Sequence, residues 1–222
     1  MTTISQIATT ASAVALADLI EVEQGGVSKK ASIQTLLRAG KTKPILTDFT
    51  ATALTATISQ TDTGILINAP AGITSGDLFP RVTKAPPAST FTMEAHYNAY
   101  RYYGNYTSIL IFAQDTADKM MTLEALYANG ERSEVNIWTD PSTYSSTPIA
   151  LAMDRFPEWM KMTVDASNFT FYVSPDGVNW KSLGTSARSG LGTINRIGMA
   201  VKPNGSGSSN HAYANFDHFL VS

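Results

Sequence analysis

Hydrophobic and polar residues alternate along most of this chain, which is the pattern of strands that bury one face. The alternation is clean over residues 90–97, where one face carries Phe91, Met93, Ala95 and Tyr97. Similar short segments recur after Pro44, separated by glycine, proline, asparagine, aspartate and serine. The pattern predicts about eleven strands: Pro44–Phe49, Gly64–Asn68, Thr90–Tyr97, Thr107–Gln114, Lys119–Tyr127, Glu134–Trp138, Trp159–Asp165, Asn168–Ser174, Trp180–Leu183, Arg196–Val201 and Ala212–Val221. Because no sustained helical period follows residue 43, we expect an all-β fold with two stacked antiparallel sheets, a β-sandwich or jelly roll.

A smaller unit precedes these strands. Residues 18–24 largely alternate apolar and polar side chains, Gly25-Gly26 supplies a tight turn, and residues 27–31 return as a second strand. Ser32 then caps a short helix predicted over residues 33–38. A β-hairpin and helix of about 25 residues rarely folds alone, so we expect this unit to associate with copies of itself. Packing on the rest of the chain is the alternative.

Charge divides the chain at the same place. The sequence has 222 residues and a formal net charge of −2, but residues 1–43 hold five bases and three acids, while the remainder holds 11 bases and 15 acids. The change falls in the segment 39–44, where glycine, lysine and proline are typical of a linker. We therefore expect an N-terminal docking and oligomerisation module, residues 1–42, and a β-sandwich domain, residues 43–222.

Composition excludes several classes of function. The chain has no basic excess to neutralise phosphates, so we expect no nucleic-acid partner. It contains no cysteine, which removes disulfides, thiolate nucleophiles and cysteine-based zinc sites. No apolar stretch is long enough to cross a membrane, and the first base is Lys29, so neither membrane insertion nor a secretory signal is expected.

The N-terminal segment resembles the opening module of bacteriophage tail and capsid appendage proteins. The resemblance rests on residues 4–7 and 17–33, above all on the stretch QGGVSKKAS at 24–32, and it covers about the first 40 residues. One departure is Glu21, where many relatives have proline. The resemblance implies a virion protein, commonly a homotrimer, that attaches to other virion proteins through residues 1–42.

The C-terminal half resembles the concanavalin A-like lectin/glucanase superfamily, in its laminin-G-like branch. Three segments carry this resemblance, in the family's order: a Trp-containing strand at 159–162, an F-x-h-S-x-D-G-x-x-W hairpin at 171–180, where h is hydrophobic, and a terminal F-D-x-F-x-V strand at 216–221. The match covers roughly residues 85–222. It implies the sandwich fold but not the activity, because that fold carries lectins, hydrolases and structural modules.

Catalytic and metal-binding patterns are absent from the sequence. Hydrolytic members of the superfamily often carry Glu-x-Asp-x-x-Glu on one strand, and this chain has no such motif; Glu131 and Glu134 are three residues apart, so they fall on opposite faces of a strand. The three histidines show neither a nucleophile elbow nor metal-ligand spacing. We therefore expect no catalytic residues, no metal, no cofactor and no enzymatic activity.

Tyrosines are concentrated between two predicted strands. Five of the nine lie within residues 97–106, and a second polar and aromatic connection follows at 138–146. Tyrosine offers a large contact area and a polar tip, which suits recognition of sugars or proteins. The candidate ligand-binding residues are Tyr100, Arg101, Tyr102, Tyr103, Asn105, Tyr106 and Trp138. Packing on a neighbouring subunit and packing inside the domain are the alternatives for these rings.

The sequence thus predicts a structural phage virion protein, a trimeric fibre or appendage that binds host-surface polysaccharide during adsorption. A capsid decoration protein without a ligand is the first alternative, and a glycan depolymerase is the second. The predicted location is the virion, assembled in the host cytoplasm.

Overall fold

The chain divides into two compact units, Met1–Lys41 and Thr42–Ser222. The computed structural model describes residues 19–24, 27–32, 42–70, 79–101, 106–203 and 211–222.

The first unit contains an antiparallel hairpin. Strands β1 (Leu19–Gln24) and β2 (Val27–Ser32) pair with Gln24 opposite Val27. Only two residues, Gly25 and Gly26, separate these partners, as the sequence predicts for a tight turn. The predicted helix over 33–38 lies outside the described residues.

The second unit is a sandwich of two antiparallel sheets, each with seven strands in the part of the chain that the structure describes. We call them sheet I and sheet II. Sheet I has the order β11-β10-β9-β8-β15-β6-β3, with β3 (Thr50–Thr52), β6 (Arg81–Lys84), β8 (Thr107–Asp115), β9 (Met120–Tyr127), β10 (Glu131–Asp140), β11 (Thr143–Ala152) and β15 (Ile194–Lys202). Sheet II has the order β14-β13-β12-β7-β16-β5-β4, with β4 (Thr57–Gln60), β5 (Ile65–Ala69), β7 (Phe91–Arg101), β12 (Trp159–Val164), β13 (Asn168–Ser174), β14 (Lys181–Ala187) and β16 (Ala212–Val221). This architecture confirms the predicted all-β sandwich.

Strand alternation builds the core between the sheets. Inward-facing residues of sheet I, such as Ile109, Ile111 and Leu123, belong to one buried cluster with Met162 and Phe171 of sheet II. All of these side chains are fully buried. Burial of alternate apolar positions from both layers is what fixes the register of each strand, since a slip of one residue would expose the whole set.

The first strand predicted for the sandwich, Pro44–Phe49, is wrong. Residues 44–49 do not form a strand; Leu46–Asp48 is a short 3₁₀ helix. Gln60 holds this segment, because its side chain accepts a hydrogen bond from Leu46 N at 2.6 Å and donates one to Pro44 O at 3.3 Å. Ile45 stays half exposed, so the apolar pattern there does not reflect burial.

Four strands were missed by the sequence analysis. Three of them, β3, β4 and β6, have only three or four residues, too few for a pattern. The fourth, β11, is an edge strand whose residues are mostly exposed, so it lacks the apolar alternation of a half-buried strand. Edge strands are exposed on one side by their position, which hides them from a search for buried faces.

The face of sheet I turned away from sheet II is not fully solvated. Leu110 and Phe112 alternate with the core residues of β8, and they are completely buried in a second cluster. Phe79, Met120, Trp138 and Ala200 complete this cluster. We call this surface the outer face of sheet I, and the candidate site lies on it. Within the described ranges, no helix is long and apolar enough to span a membrane.

Candidate functional site

A pocket of about 460 Å³ opens on the outer face of sheet I. Aromatic side chains line part of it, namely Tyr106, Trp138 and Tyr144. Leu126 and Ala128 add apolar surface, and the other lining side chains are polar or charged: Asn129, Arg132, Glu134, Asn136, Thr147 and Lys202. A few placed polar groups beside aromatic rings form the usual lining of a small-ligand site.

Strand β10 supplies most of the polar wall because alternate residues of a strand share a face. Its positions 132, 134, 136 and 138 are all in the lining. The pairing of β10 with β11 is irregular between Val135 and Asp140, where the register shifts three times. Such irregularities bend a strand and change the direction of its side chains, and they are frequent next to binding sites.

The aromatic part of the pocket combines a buried ring with two exposed ones. Trp138 is 1% exposed; its ring packs edge-on against Phe79 and against Tyr144, each at 5.7 Å between centroids. Tyr144 and Tyr106 keep 48% and 55% of their surface exposed. The Tyr144 hydroxyl is bonded to Thr147 Oγ1 at 2.9 Å, and Thr147 donates to Asn136 Oδ1 at 2.5 Å. The exposed tyrosine rings therefore offer faces that a ligand can cover.

Tyr106 is held by its backbone. Its φ angle is +65°, a left-handed backbone conformation that residues other than glycine and asparagine rarely adopt. Its amide donates a hydrogen bond to Tyr127 O at 2.7 Å. Tyr106 therefore lies just before β8, beside the last residue of β9, and its ring lines the pocket.

Two carboxyl groups, one in the polar wall and one on the neighbouring strand, belong to this part of sheet I. Glu134 on β10 lies directly opposite Glu124 on β9, so both side chains project to the outer face of sheet I. Both oxygens of Glu124 accept hydrogen bonds of 2.7 Å, one from Ser108 Oγ and one from Thr122 Oγ1. Burial, and then the nearby Glu124, raise the pKa of Glu134, while Arg132 and Asn136 oppose the shift. Such a shift is frequent at functional sites.

The cations of the pocket are Arg132 and Lys202. The Arg132 guanidinium is 3.5 Å from Glu134 Oε1, and the side chain is 42% exposed. Lys202 is only 6% exposed, and its Nζ lies 4.6 Å from the centre of the Trp138 ring. Among the described residues, no carboxylate lies within ion-pair distance of Lys202 Nζ, and Trp138 Nε1 is a buried donor without an acceptor.

The structure brings together part of the predicted site. Tyr106 and Trp138 line the same pocket, and Tyr144 from the second predicted connection joins them. That connection is not a loop; it is the hairpin between β10 and β11. Tyr100 and Arg101 lie at the end of β7 in sheet II. Tyr102, Tyr103 and Asn105 lie outside the described residues, so their predicted role stays a prediction.

Three residues of this region, Glu124, Glu134 and Lys202, are not among the site residues predicted from the sequence. A signal for the glutamates exists in the dipeptide Asn129-Gly130, a strong hairpin marker. A two-residue loop at Asn129-Gly130 would place Glu124 opposite Val135, whereas the observed pairing of Tyr127 with Glu131 places it opposite Glu134, so the dipeptide indicates the hairpin but not its register. Lys202 reaches the site through the pairing of β15 with β8, where it lies opposite Ser108, 94 positions earlier in the chain, so no local pattern indicates it.

A second group of titratable residues lies on the outer face of sheet II. His96 Nδ1 is 2.5 Å from Asp217 Oδ1, and Asn98 Nδ2 donates to Asp217 Oδ2 at 3.0 Å. Trp159 packs on both His96 and His218, at 4.7 and 5.0 Å between ring centroids. His96, Asp217, Trp159 and His218 are each less than 10% exposed. The arrangement is a buried cluster in which rings and hydrogen bonds pack the titratable groups together.

No group of three or more potential metal ligands occurs in the part of the chain that the structure describes. Among the described residues that line the pocket there is one carboxylate and no imidazole. Its donor set therefore suits hydrogen bonding and ring contacts with an organic ligand.

Comparisons with known proteins give the fold and not the family. No protein-family model and no curated protein matches the sequence. Among solved structures, the GH43 BlXynB protein from Bacillus licheniformis has a TM-score of 0.61 at 15% identity over 78% of this chain; the match spans only 36% of that protein. A functionally unknown protein from Saccharomyces cerevisiae has a TM-score of 0.60 at 12% identity, covering 80% of this chain and 97% of its own. Lectin II from Ulex europaeus has a TM-score of 0.52 at 9% identity, covering 82% and 95%.

These neighbours confirm the lectin-type, concanavalin A-like sandwich predicted from the C-terminal half, and nothing in them points to a virion protein. They also contradict the prediction that the chain is not an enzyme, since a glycoside hydrolase shares the fold over most of this chain. The prediction relied on the absence of paired acids within one strand, whereas the structure pairs Glu124 and Glu134 across two strands. A fold common to a hydrolase and a lectin does not separate catalysis from binding.

Proposed function

We propose that this protein binds carbohydrate in the pocket on the outer face of sheet I. The observation that carries the proposal is the lining of that pocket, where the exposed rings of Tyr106 and Tyr144 stand beside Asn129, Arg132, Asn136 and Thr147. A sugar has apolar C–H faces and a rim of hydroxyls, so its recognition needs aromatic surface and hydrogen-bond partners together. The volume of about 460 Å³ is in the range of small-ligand sites, about 300–1,000 Å³.

The neighbours support this proposal at the level of the fold. One is a lectin and another a GH43 protein, and both share the sandwich with this chain. Hydrolysis of the bound glycan is measured in the same experiment as binding, by assaying for new reducing ends. Release of sugar would add catalysis to the binding that we propose.

Binding is tested with a glycan array, followed by calorimetric titration of the strongest oligosaccharide. Tyr144→Ala removes an exposed ring of the pocket and should weaken binding about tenfold or more, as truncation of aromatic anchors does. The matched control is Tyr172→Ala, which removes a partly exposed tyrosine from sheet II and should leave the dissociation constant unchanged. Equal affinity in wild type and Tyr144→Ala, or an equal loss in the control, would refute the proposed site.

We further propose that the chain acts as a phage virion appendage, in which residues 1–42 join three copies and attach them to other virion proteins. The support is the resemblance of residues 17–33 to phage appendage openings. Three weak glycan sites on one particle would bind a host surface with much higher avidity than one site. Light scattering of the full chain should give three times the mass of 23.8 kDa. A monomer at micromolar concentration contradicts the trimer, and immunogold labelling that finds no protein on the particle contradicts the virion role.

A further inference from the structure

We propose that the ligand of this pocket is an anionic saccharide, whose carboxylate or sulfate group binds beside Lys202. The inference rests on the proposed function, because it names the class of glycan that the same pocket takes. It starts from a charge that the fold leaves uncompensated.

Lys202 is the unusual residue of the lining. It is at the end of β15, 94% of its surface is buried, and its Nζ lies over the Trp138 ring at 4.6 Å. A buried ammonium is normally paired with a carboxylate, since taking a charge out of water is costly. No such partner is present among the described residues, and the ring face supplies only a part of the lost solvation. An anionic ligand group would supply the rest.

The other charged groups of the pocket do not neutralise Lys202. Arg132 adds a second, more exposed cation. Glu134 is the one carboxylate in the described lining, and the arginine lies against it. Glu124 is on the neighbouring strand, and its two oxygens are already occupied by Ser108 and Thr122 hydroxyls. The lining therefore presents two cations and one anion, with Lys202 as the cation that no carboxylate neutralises.

The arrangement also gives the sign of the pH dependence. Burial and the neighbouring Glu124 raise the pKa of Glu134, so this group takes up a proton before an ordinary glutamate does as the pH falls. Protonation of Glu134 removes its negative charge from the lining. Affinity for an acidic sugar should therefore increase as the solution is made mildly acidic, until the carboxylate of the sugar itself is protonated.

The test compares two ligands with the same sugar backbone, one with charged carboxylates and one with neutral methyl esters. Tetragalacturonate and its fully methyl-esterified form are titrated into the wild-type full chain, together with a sulfated oligosaccharide to separate the two sources of negative charge. A charged hydrogen bond is worth about 1.5–3 kcal/mol, so the acid should bind about ten- to a hundredfold more tightly than the ester. High salt should weaken binding of the acid and leave the ester unchanged.

Lys202→Met keeps the apolar stem and removes the charge. It should abolish the preference for the acid, and its melting temperature shows whether the fold is intact. If the wild type binds acid and ester equally, or if Lys202→Met keeps the preference, the anionic-ligand inference is wrong. Binding of neutral glycans alone would overturn this inference and leave the proposed function in place. No glycan binding of any kind would overturn the proposed function itself.

Discussion

Gly198 lies where β15 pairs with the neighbouring strand β6, and replacing it with alanine tests the packing between these two strands. A Cβ at this position would lie 2.0 Å from Val82 O and 3.0 Å from Phe112 Cζ. Since real Cβ atoms essentially never approach closer than 3.0 Å, the two strands must separate by about 1 Å or the β15 backbone must rotate. Overpacking costs about 1–3 kcal/mol, and weakening one or two ladder hydrogen bonds adds about 1 kcal/mol each.

The sum is a loss of about 3 kcal/mol, which lowers the melting temperature of a domain of this size by roughly 6–12 °C. Gly190→Ala is the matched control, because a Cβ there meets nothing within 4 Å. We expect calorimetry to show the loss for Gly198→Ala and no loss for Gly190→Ala. Because Phe112 belongs to the same buried cluster as Trp138, the first variant should also weaken ligand binding. A Gly198→Ala protein that melts within about 2 °C of wild type would refute this account of the sheet.

Three further predictions concern buried and turn carboxylates. Glu134→Gln should raise the melting temperature at pH 7, because the raised pKa of Glu134 means that its ionised form is less stable in the folded protein than in the unfolded chain. The gain should vanish below about pH 4.3, where the glutamate is protonated in both states. An equal gain at every pH would contradict this prediction. Asp217→Ala removes the hydrogen-bond partner of His96 Nδ1 from a buried pair and should cost about 1–3 kcal/mol in denaturant unfolding, so an unchanged midpoint would count against it. Asp165 and Asp176 have lowered pKa values because backbone amides donate hydrogen bonds to their carboxylates. A pH series of thermal melts should therefore show the melting temperature falling below about pH 3.9, as these groups become protonated. A flat profile from pH 5 to pH 2 would exclude their contribution.

The long strands could be predicted from the sequence because their burial is local and periodic. β13 and β16 have the predicted bounds, Asn168–Ser174 and Ala212–Val221, since each alternates apolar and polar residues between clear turn residues. The turn after β13 also behaves as its residues indicate: Gly177 has a φ of +69°, and Asp176 Oδ1 accepts hydrogen bonds from two backbone amides at 2.8 Å.

The site could be predicted only in part, because it depends on which strands are neighbours. Tyr106 and Trp138 were found from composition alone, as aromatic residues in exposed connections. Glu134 and Lys202 belong to strands separated in sheet I by β9 and β8, so the register of three strand pairs decides that they line one pocket. Sheet order is a property of the whole chain, and alternation within one strand does not encode it.

The central claim is that a saccharide binds on the outer face of sheet I. The three tryptophans make a direct test, since each gives one indole N–H signal in an NMR spectrum of nitrogen-labelled protein. Trp138 lines the pocket, whereas Trp159 and Trp180 lie in or beside strands of sheet II. Titration with tetragalacturonate, or with the tightest glycan from the array, should move the Trp138 signal and leave the other two in place. Saturable binding that moves only Trp159 or Trp180 would contradict the account.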